Sequence, residues 1–368
     1  MRAIEAEAFI VRRAVPADAP ALDQVIAQID QETEFLAKPG EHLQRWAPGS
    51  VDRLKDMAER ESGAYLIAAA GGEIVGYLGA FAGAFKRTRG VVYVGHVGVR
   101  ETWRRRGLGT ALFKAIEDWA RAQNAWRLDL RVDTQNARGL ALYEQRSFTI
   151  EGRMVAGACT HGVWRDHYLM SNALRVLTEP AWESLELPSV GAGADGPVSL
   201  RLLRADDAAR LRTFQLALTG ETPFLLMQPS DVPDEAAMAA NIARGLQEER
   251  RLDVVAVVPG ADGGRVVGHA MAEREEATRT RHNAYVGIHV LRSHWRRGIG
   301  RQLAAAAEAW AREQNLRRLT GLVLAHNTRA LRFARAWSFR QELVSPRYAV
   351  IDGRVADRTR VVRLLQGW

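Results

Sequence analysis

Val97-Gly98-Val99-Arg100-Glu101-Thr102-Trp103-Arg104-Arg105-Arg106-Gly107-Leu108-Gly109-Thr110 is the stretch that decides the fold of this chain. The β-branched run 91–99 predicts a strand, and the apolar residues after Leu108 recur at helical spacing. A turn with two glycines separates the strand from the helix. The first N–H groups of a helix have no partner within it, and the positive end of its dipole lies there, so this turn predicts an anion site.

The side chains of this turn suit a phosphate ligand. Glycine at positions 107 and 109 lets the backbone approach a pyrophosphate with no Cβ in the way. Arg104, Arg105 and Arg106 offer charge-assisted hydrogen bonds to phosphate oxygens. Taken alone, the turn is equally well explained as a tight helix start with solvated arginines.

An internal repeat strengthens the phosphate interpretation. Glu-Thr-x-Phe-Leu at 32–36 recurs at 221–225, which is 189 residues further on. The later matches are 191 residues apart, so two extra residues lie between the early and the late matches, as a loop insertion would produce. The later matches are Arg-Gly-Leu-Gly at 106–109 with Arg-Gly-Ile-Gly at 297–300, Asn136 with Asn327, Ser147-Phe148 with Ser338-Phe339, Gly162 with Gly353, and Asp166 with Asp357.

The repeat predicts two copies of one domain in tandem. The first copy ends near Ala173 and the second begins near Val198, after the Gly/Pro-rich stretch 188–197. We therefore expect domains at 1–175 and 198–368, joined by a linker at 176–197. In a chain of 368 residues, each domain is large enough to bury its own core.

Strand and helix patterns alternate within each copy, which predicts an α/β (α+β) fold with a mixed, mostly antiparallel sheet flanked by helices. The apolar stretch 64–85 is long enough for a membrane span, but Gly71-Gly72-Glu73 in its middle favours a hairpin. For the first copy we expect strands at 9–13, 91–99 and 128–132, a hairpin at 64–82, two closing strands, and helices at 17–29, 41–61, 108–120 and 137–145.

Composition narrows the class of protein. The 47% hydrophobic and 26% charged content is typical of a soluble globular protein. No charged-then-apolar leader opens the sequence, so a cytoplasmic location is expected. The net charge of +8 is spread along both halves and comes almost entirely from arginine, so we expect neither a nucleic-acid nor a membrane partner. The single cysteine, Cys159, excludes an internal disulfide and argues against a cysteine-based metal site.

The first copy resembles the GCN5-related N-acetyltransferase (GNAT) superfamily. Its signature, Arg/Gln-x-x-Gly-x-Gly/Ala, is matched by Arg104, Gly107 and Gly109. The segment 136–148, with Asn136 at its start and Phe148 at its end, is similar to the second cofactor motif of that family. The resemblance covers nearly the whole chain, once per copy. Ser147 and Ser338 are departures, since the family usually has glycine before this phenylalanine.

The resemblance implies two GNAT-like domains that use acetyl-CoA as cosubstrate and need no metal. The implied cofactor-binding residues of the first copy are Val97, Gly98, Val99, Arg104, Arg105, Arg106, Gly107, Leu108, Gly109, Thr110, Asn136 and Tyr143. Those of the second copy are Ile288, Val290, Arg296, Arg297, Gly298, Ile299, Gly300, Arg301 and Asn327. Any of these residues also has a structural explanation; Asn136, for example, suits a helix N-cap.

Acetyl transfer to an amine needs a neutral amine, a polarised carbonyl and a proton for the leaving thiolate. Backbone N–H groups near Val97 and Val99 can stabilise the oxyanion. By resemblance Tyr143 is the acid, since a phenol is protonated at neutral pH; a core aromatic is the alternative. The base stays open: His96 has a suitable ordinary pKa, and relay through water from Glu32 or Asp133 is equally possible.

The acceptor is expected to be a small-molecule or peptide amine. The family often lines its acceptor site with the region between the first two helices, which here contains Glu32 and Phe35. Glu34 and Glu41 add negative charge that would attract a cationic amine; the alternative is a solvated loop with Phe35 anchored in the core. The expected oligomeric state is a monomer or a homodimer.

The second copy is expected to be catalytically impaired. Trp295 stands where the first copy has Arg104, and Ala334 stands where it has Tyr143. The leading hypothesis for the whole chain is an N-acetyltransferase. A non-catalytic acyl-CoA-binding sensor and a nucleic-acid-associated protein, which would bind DNA with a steep salt dependence, are the alternatives.

Overall fold

The computed structural model describes residues 9–35, 50–60, 62–178, 197–260 and 263–365. The chain divides into two compact units. Unit 1 comprises residues 1–84, 88–178 and 277–279, and unit 2 comprises residues 85–87, 179–276 and 280–368. Most of the predicted linker 176–197 lies outside the described residues, so its bounds stay a prediction.

Unit 1 alternates strands and helices as the sequence predicts. The hairpin expected at 64–82 is confirmed, and of the helix expected at 41–61 the described part is helical at 50–60. In chain order the elements are β1 (Ile10–Arg13), α1 (Ala19–Gln31), α2 (Ser50–Arg60), β2 (Gly63–Ala70), β3 (Glu73–Ala82), β4 (Val91–Val99), α3 (Leu108–Ala122), β5 (Arg127–Asp133), α4 (Ala137–Gln145), β6 (Thr149–Thr160) and β7 (Val163–Ala173).

Unit 2 repeats the same order of elements. They are β8 (Ser199–Leu202), α5 (Ala208–Glu221), α6 (Glu235–Leu246), β9 (Arg251–Val258), β10 (Arg265–Arg274), β11 (Asn283–Val290), α7 (Ile299–Glu313), β12 (Arg318–Leu324), α8 (Thr328–Ala336), β13 (Arg340–Ile351) and β14 (Arg354–Leu364). Among the helices of the described residues, none combines the length and the apolar character that a membrane crossing needs.

Each unit contains one seven-stranded mixed sheet, which confirms the predicted fold class. The strand order is β1-β2-β3-β4-β5-β7-β6 in unit 1, and β8-β9-β10-β11-β12-β14-β13 in unit 2. One neighbouring pair in each sheet is parallel, β4 with β5 and β11 with β12, and the other pairs are antiparallel.

The core of unit 1 covers both faces of its sheet. Side chains alternate between the two faces of a strand. Accordingly, Leu66 and Ala68 of β2 pack in the cluster that contains the buried face of α3. Tyr65 and Ile67 pack in a second cluster with α1 and α2. The sheet therefore lies between α3 on one face and α1 and α2 on the other.

Two structural differences contribute to the change of offset between the copies. The β2–β3 hairpin has two residues between its strands, whereas six residues lie between β9 and β10. In the opposite sense, β4 has a register shift against β3 at Gly95, which is a β-bulge, while β11 pairs with β10 without a shift. The two extra residues predicted from the sequence are therefore a net gain. They combine the longer connection between β9 and β10 with losses elsewhere, one of them at the position of the bulge.

Candidate functional site

A cavity of about 950 Å³ in unit 1 follows the gap between its two parallel strands. β4 and β5 pair only over their first halves, where Val91–Val94 lie beside Arg127–Leu130. Beyond that point the cavity is lined by residues 95–99 of one strand and 131–133 of the other. It continues past the start of α3 and reaches α4 and the segment after α1. The bulge at Gly95 lies where the strands diverge, and bulges bend the strand that contains them.

The turn before α3 has the geometry of an anion site. Gly107 has a φ of 84°, which a residue with a Cβ adopts only with strain, and an added Cβ would meet nothing within 4 Å. Among the described residues, no side chain caps the start of α3. The backbone donors of the helix start therefore face open space beside the cavity.

Arg104 and Glu32 join the turn to the end of α1. Arg104 Nε donates to the Val99 carbonyl at 3.1 Å, and its Nη2 donates to Glu32 Oε2 at 3.2 Å. The same carboxylate accepts from Arg100 Nε at 3.4 Å and from the backbone N–H of Glu101. The Glu32 carboxylate is thus held at the end of the cavity beside the turn, where the guanidiniums of Arg100 and Arg104 neutralise it.

Asn136 is the N-cap of α4, the structural role that the sequence analysis gave as an alternative to cofactor binding. Its Oδ1 accepts from the Gly139 N–H at 3.0 Å and caps α4, and Asn327 caps α8 through the Ala330 N–H at 3.0 Å. The residue nevertheless lines the cavity as well. The cap fixes the start of α4, the helix that presents Tyr143.

Tyr143 is buried in the cavity wall. Its ring packs at 5.3 Å from that of Phe113 and at 5.9 Å from that of Phe148, so it also belongs to the core. Burial, and secondarily the neighbouring Tyr93, raises the pKa of Tyr143 above its ordinary value of 10. The phenol therefore stays protonated at every pH at which the protein would be assayed.

A buried carboxylate, Asp133, lies at the end of β5 and is only 3% exposed. Its Oδ1 accepts from the Gln135 N–H at 2.7 Å, and its Oδ2 lies 3.6 Å from Arg165 Nη1. Burial raises the pKa of Asp133, although the Gln135 N–H and Arg165 oppose the shift. The group thus combines a position on the cavity wall with a pKa displaced towards neutrality.

Arg165 of β7 organises the outer end of the cavity. It donates to Gln135 Oε1 at 2.8 Å and to Glu34 Oε2 at 2.6 Å. Its guanidinium also lies 5.7 Å from the centre of the Phe35 ring. These contacts hold the segment after α1 against the last strands of the sheet.

His96 and Arg131 come from the two diverging strands. The His96 ring makes an edge-to-face contact with Phe81 at 6.4 Å. Arg131 Nε donates to the Tyr93 hydroxyl at 3.2 Å. Both lie in the cavity wall, so an acceptor that entered there would meet an imidazole and a guanidinium in addition to Asp133.

Most of the cofactor-binding, catalytic and acceptor-site residues predicted for the first copy line this cavity, but Arg106 does not. Its guanidinium stacks 4.6 Å above the ring of Trp103. The predicted residues that line the cavity are Glu32, Phe35, His96, Val97, Gly98, Val99, Arg104, Arg105, Gly107, Leu108, Gly109, Thr110, Asn136 and Tyr143. Glu41 lies outside the described residues.

Arg165, Gln135 and His167 are part of the site or support it, but the sequence did not indicate them. A position-by-position comparison of the copies contains a signal for one of them, because His167 is matched by Arg358 at the same offset of 191 residues. The same comparison pairs Asp133 with Leu324. Polar groups of the first copy that are lost or changed in the second are therefore candidates for a role that only the first copy has.

Unit 2 builds the corresponding turn with different side chains. Gly298 has a φ of 78°, close to that of Gly107. Trp295 Nε1 donates to the Val290 carbonyl at 2.7 Å, which replaces the bond that Arg104 makes to Val99. Glu221 Oε2 accepts from the Arg292 N–H at 2.8 Å, as Glu32 does from Glu101.

A cavity of about 720 Å³ lies beside this second turn. Ala334, buried where unit 1 has Tyr143, is not in its wall. The predicted residues Ile288, Val290, Arg296, Gly298, Ile299, Gly300, Arg301 and Asn327 line it, whereas Arg297 does not. No residue of β12 lines it, although β11 and β12 pair only over Asn283–Tyr285 and Arg318–Thr320 and separate beyond them.

Sequence comparison with protein families matches residues 27–148 and 225–339 to the acetyltransferase (GNAT) family. The L-amino acid N-acetyltransferase AaaT of Escherichia coli (strain K12) is 26% identical over 167 residues, which are 44% of this chain and 96% of that protein. A GNAT-family acetyltransferase structure from Streptococcus pneumoniae is 27% identical, with a TM-score of 0.43, and covers 45% of this chain and 99% of its own. The ribosomal-protein-alanine N-acetyltransferase of Brucella melitensis is 23% identical, with a TM-score of 0.38, and covers 45% and 99%.

Proposed function

Because this chain belongs to the acetyltransferase (GNAT) family, we propose that its first unit is an N-acetyltransferase that moves the acetyl group of acetyl-CoA to a primary amine by direct attack. The observation that carries the proposal is the cavity of unit 1. It connects a helix start suited to phosphates with a group of titratable side chains, through the gap between β4 and β5.

Acetyl-CoA fits the phosphate end of this cavity. The uncapped start of α3, the open space around Gly107 and the side chain of Arg105 would hold the pyrophosphate. The edges of β4 and β5 that no longer pair with each other offer backbone groups to the pantetheine arm. When bound, acetyl-CoA supplies an acetyl group activated as a thioester.

Asp133 and Tyr143 handle the protons in this proposal. The amine must lose a proton to attack, and the buried carboxylate of Asp133 accepts it. Its raised pKa supports this role, since a base works best when its pKa is near the working pH. Tyr143 supplies the proton that the leaving thiolate takes up. His96, on β4, is the second candidate for the base.

The acceptor in this proposal is an α-amino acid. Arg131 and Asp133 are two positions apart on β5, so their side chains project from the same face of the strand. A guanidinium can pair with a carboxylate, and the neighbouring carboxylate can hold an amine. The similarity to an L-amino acid N-acetyltransferase supports this choice.

A thiol-release assay with acetyl-CoA and a panel of amines tests the proposal. The panel contains L-amino acids, their amides, and diamines that lack a carboxylate. We expect turnover with amino acids, and a preference over the amides of roughly tenfold or more that Arg131→Gln removes. Equal rates for acids and amides would refute the acceptor class. The absence of turnover with every amine would refute the acetyltransferase itself.

The pH dependence of kcat/KM distinguishes the two candidate bases. The rate falls at acid pH as the base becomes protonated, and the raised pKa of Asp133 places this fall above the ordinary carboxylate value of about 4. We expect Asp133→Asn to abolish the acidic limb along with most activity. If the limb persists in Asp133→Asn and disappears in His96→Gln, the base is His96.

A further inference from the structure

Three residues of unit 1 come from late in the chain. Residues 277–279 follow β10 and belong to the compact unit that contains β1 to β7. Unit 2 likewise includes residues 85–87, which follow β3. Each stretch ends in the first residue of an Arg-Thr-Arg sequence, at 87–89 and again 192 residues further on at 279–281. The two units therefore contain corresponding arginines, Arg279 in unit 1 and Arg87 in unit 2.

Arg279 binds the main chain of the segment that follows α1. Its side chain is buried, and its Nη1 donates to the Glu34 carbonyl at 3.0 Å. Its own carbonyl accepts from the N–H of Cys159, on the edge strand β6, at 2.6 Å. Arg279 thus connects β6 with Glu34, which lines the outer end of the cavity.

Residues 33–35 depend on such contacts for their position. They lie after α1 and are neither helical nor part of a strand, so no ladder of backbone bonds fixes them. Arg165 donates to the Glu34 carboxylate at 2.6 Å, and Arg279 donates to the carbonyl of the same residue. Hydrogen bonds from a charged donor are roughly twice as strong as neutral ones. Two guanidiniums therefore hold the side chain and the main chain of Glu34.

Unit 2 contains the same kind of contact. Arg87 and Arg279 are each 8% exposed, and Arg87 Nη1 donates to the Leu225 carbonyl at 2.6 Å. Leu225 follows α5 in the second copy of the Glu-Thr-x-Phe-Leu sequence. Corresponding arginines thus hold corresponding segments in both units. The contact is therefore a property of the repeated fold, and a matched pair of variants can test it.

In unit 1 the segment held by Arg279 also affects the proposed base. Arg165 donates to Glu34 through Nη2, and its Nη1 lies 3.6 Å from Asp133 Oδ2. A displacement of the Glu34 main chain would move one partner of the guanidinium that faces Asp133. The bond from Arg279 therefore supports the geometry of the outer end of the cavity through Glu34 and Arg165.

We infer that Arg279 is a positioning residue for the site of unit 1, which fixes the main chain of Glu34 and so shapes the end of the cavity where the amine acceptor binds. The effect on the acceptor rests on the acetyl transfer proposed above, whereas the contact itself does not. The turn at Gly107 is held by another residue, Glu32. We therefore expect Arg279 to influence the acceptor and not acetyl-CoA.

Hydrogen exchange of the full chain tests the positioning without an assay of activity. Arg279→Met and Arg87→Met keep the apolar stem of the side chain and remove its donors. Arg281→Met, at an exposed arginine two residues beyond Arg279, is the control for the loss of a charge.

Each segment contains an amide that reports on its order. The Phe35 N–H donates to Thr33 Oγ1 at 3.3 Å, and the Phe224 N–H donates to Thr222 Oγ1 at 3.2 Å. Exchange in residues 33–35 should be about tenfold faster or more in Arg279→Met alone, and exchange in residues 222–225 in Arg87→Met alone. Unchanged exchange of residues 33–35 in Arg279→Met, or equal acceleration there in Arg87→Met, would overturn the inference.

Steady-state kinetics with an acceptor found by the thiol-release assay tests the consequence. Arg279→Met should raise the KM of the acceptor by about tenfold and leave the Kd of acetyl-CoA within about twofold. Arg279→Lys, which keeps a charged donor, should recover part of the loss. Arg87→Met and Arg281→Met should retain the wild-type KM.

An unchanged KM in Arg279→Met, a loss confined to kcat, or an equal rise in KM in Arg87→Met would overturn the inference. If no amine is acetylated by the wild type, the proposed function fails, and the exchange experiment still decides whether Arg279 positions the segment.

Discussion

At the scale of single residues, Tyr143 has a packing role and a proposed catalytic role, and one substitution can distinguish the two. Its ring belongs to the core beside Phe113 and Phe148, and it is also part of the cavity wall. Replacement by phenylalanine preserves the packing and removes only the hydroxyl. The variant therefore tests whether the hydroxyl supplies the proton that we assign to the leaving thiolate.

Tyr143→Phe should lower kcat by roughly a hundredfold or more, the usual contribution of a general acid, with little change in the Kd of acetyl-CoA. Steady-state kinetics with a verified acceptor and calorimetry measure the two quantities. Tyr77→Phe, a buried tyrosine outside the cavity wall, is the control. Wild-type turnover by Tyr143→Phe across the pH range would show that the residue only packs.

Gly107 has a conformational role besides the open space it leaves for a ligand. A Cβ at a φ of 84° strains the backbone, so a loss of binding alone would not show a direct contact. Gly162, in the β6–β7 turn, has a φ of 79° and equally open surroundings. It therefore reproduces the strain far from the turn that we assign to phosphate.

Gly107→Ala and Gly162→Ala should each lower the free energy of unfolding by about 1–2 kcal/mol. Only Gly107→Ala should weaken acetyl-CoA binding to unit 1, by at least roughly tenfold. Denaturant titration and calorimetry measure these effects. Equal affinity of the two variants for acetyl-CoA would remove Gly107 from the binding site.

At the scale of elements, the Glu-Thr-x-Phe repeat is explained by a joint between a helix and a turn. Glu32 at the end of α1 accepts from the N–H of Glu101, and Glu221 at the end of α5 accepts from the N–H of Arg292. The same contact is made in both copies, although only the first contains the proposed catalytic groups. We therefore interpret Glu32 as a residue that positions the turn, in place of the acceptor contact expected from the sequence.

The strands β10 and β11 contain a second element-level feature, a pair of neighbouring histidines. His269 and His289 are cross-strand partners, and His269 Nε2 lies 2.8 Å from Asp253 Oδ1. Burial, and secondarily the charge of His269, lowers the pKa of His289 to about 4. In the corresponding positions unit 1 has Tyr77 paired with Gly98, so only unit 2 contains this pair.

Acid should destabilise β11 through His289. Between the ordinary pKa of 6.5 and about 4, the unfolded state binds a proton that the folded state does not, so stability falls as the pH falls through this window. The loss should reach roughly 1–3 kcal/mol near pH 4.5. Hydrogen exchange of residues 283–290, corrected for intrinsic rates, should show the change, and His289→Gln should abolish it.

The partly exposed His326 provides the control for this experiment, because it lies in unit 2 outside the two strands. His326→Gln should retain the acid sensitivity of β11. If His289→Gln and the wild type show the same protection at pH 4.5, the lowered pKa of His289 has no bearing on the stability of the strand.

At the scale of the whole molecule, the chain holds two copies of one fold with different capacities. Unit 1 has the bulge, Asp133 and Tyr143. Unit 2 has none of the three and has arginines at positions 292, 301 and 332, where unit 1 has Glu101, Thr110 and Ala141. The two copies therefore share the turn that we assign to phosphate binding and differ in the groups that we assign to the reaction.

Acetylation by the full chain should depend on unit 1 alone. We expect Gly107→Ala/Tyr143→Phe to reduce thiol release to the background rate, although unit 2 is untouched. Adding Ala334→Tyr to this variant should not restore activity, because Leu324 stands at the position of Asp133 and β11 lacks the bulge. Substantial acetylation by the double variant would mean that the second unit is itself a catalyst.

The sequence by itself determined the features that depend on local chemistry. The hairpin, the bounds of β4 and α4, and the turn at Gly107 follow from side-chain period and from the backbone freedom of glycine. The repeat fixed the duplication, because each copy encodes the same series of local signals. The repeat also aligns Ala334 with Tyr143, so the loss of the phenol in the second copy could be read from the sequence.

Only the tertiary structure decided which distant side chains meet. Arg104 and Glu32 are 72 residues apart, and Arg165 and Glu34 are 131 residues apart, so no periodicity connects them. The burial that raises the pKa of Asp133 arises from neighbouring strands and from β7, beyond its own segment. The bulge at Gly95 is a property of pairing between β3 and β4. Contacts of this kind depend on the order of strands in the sheet, which local propensities do not specify.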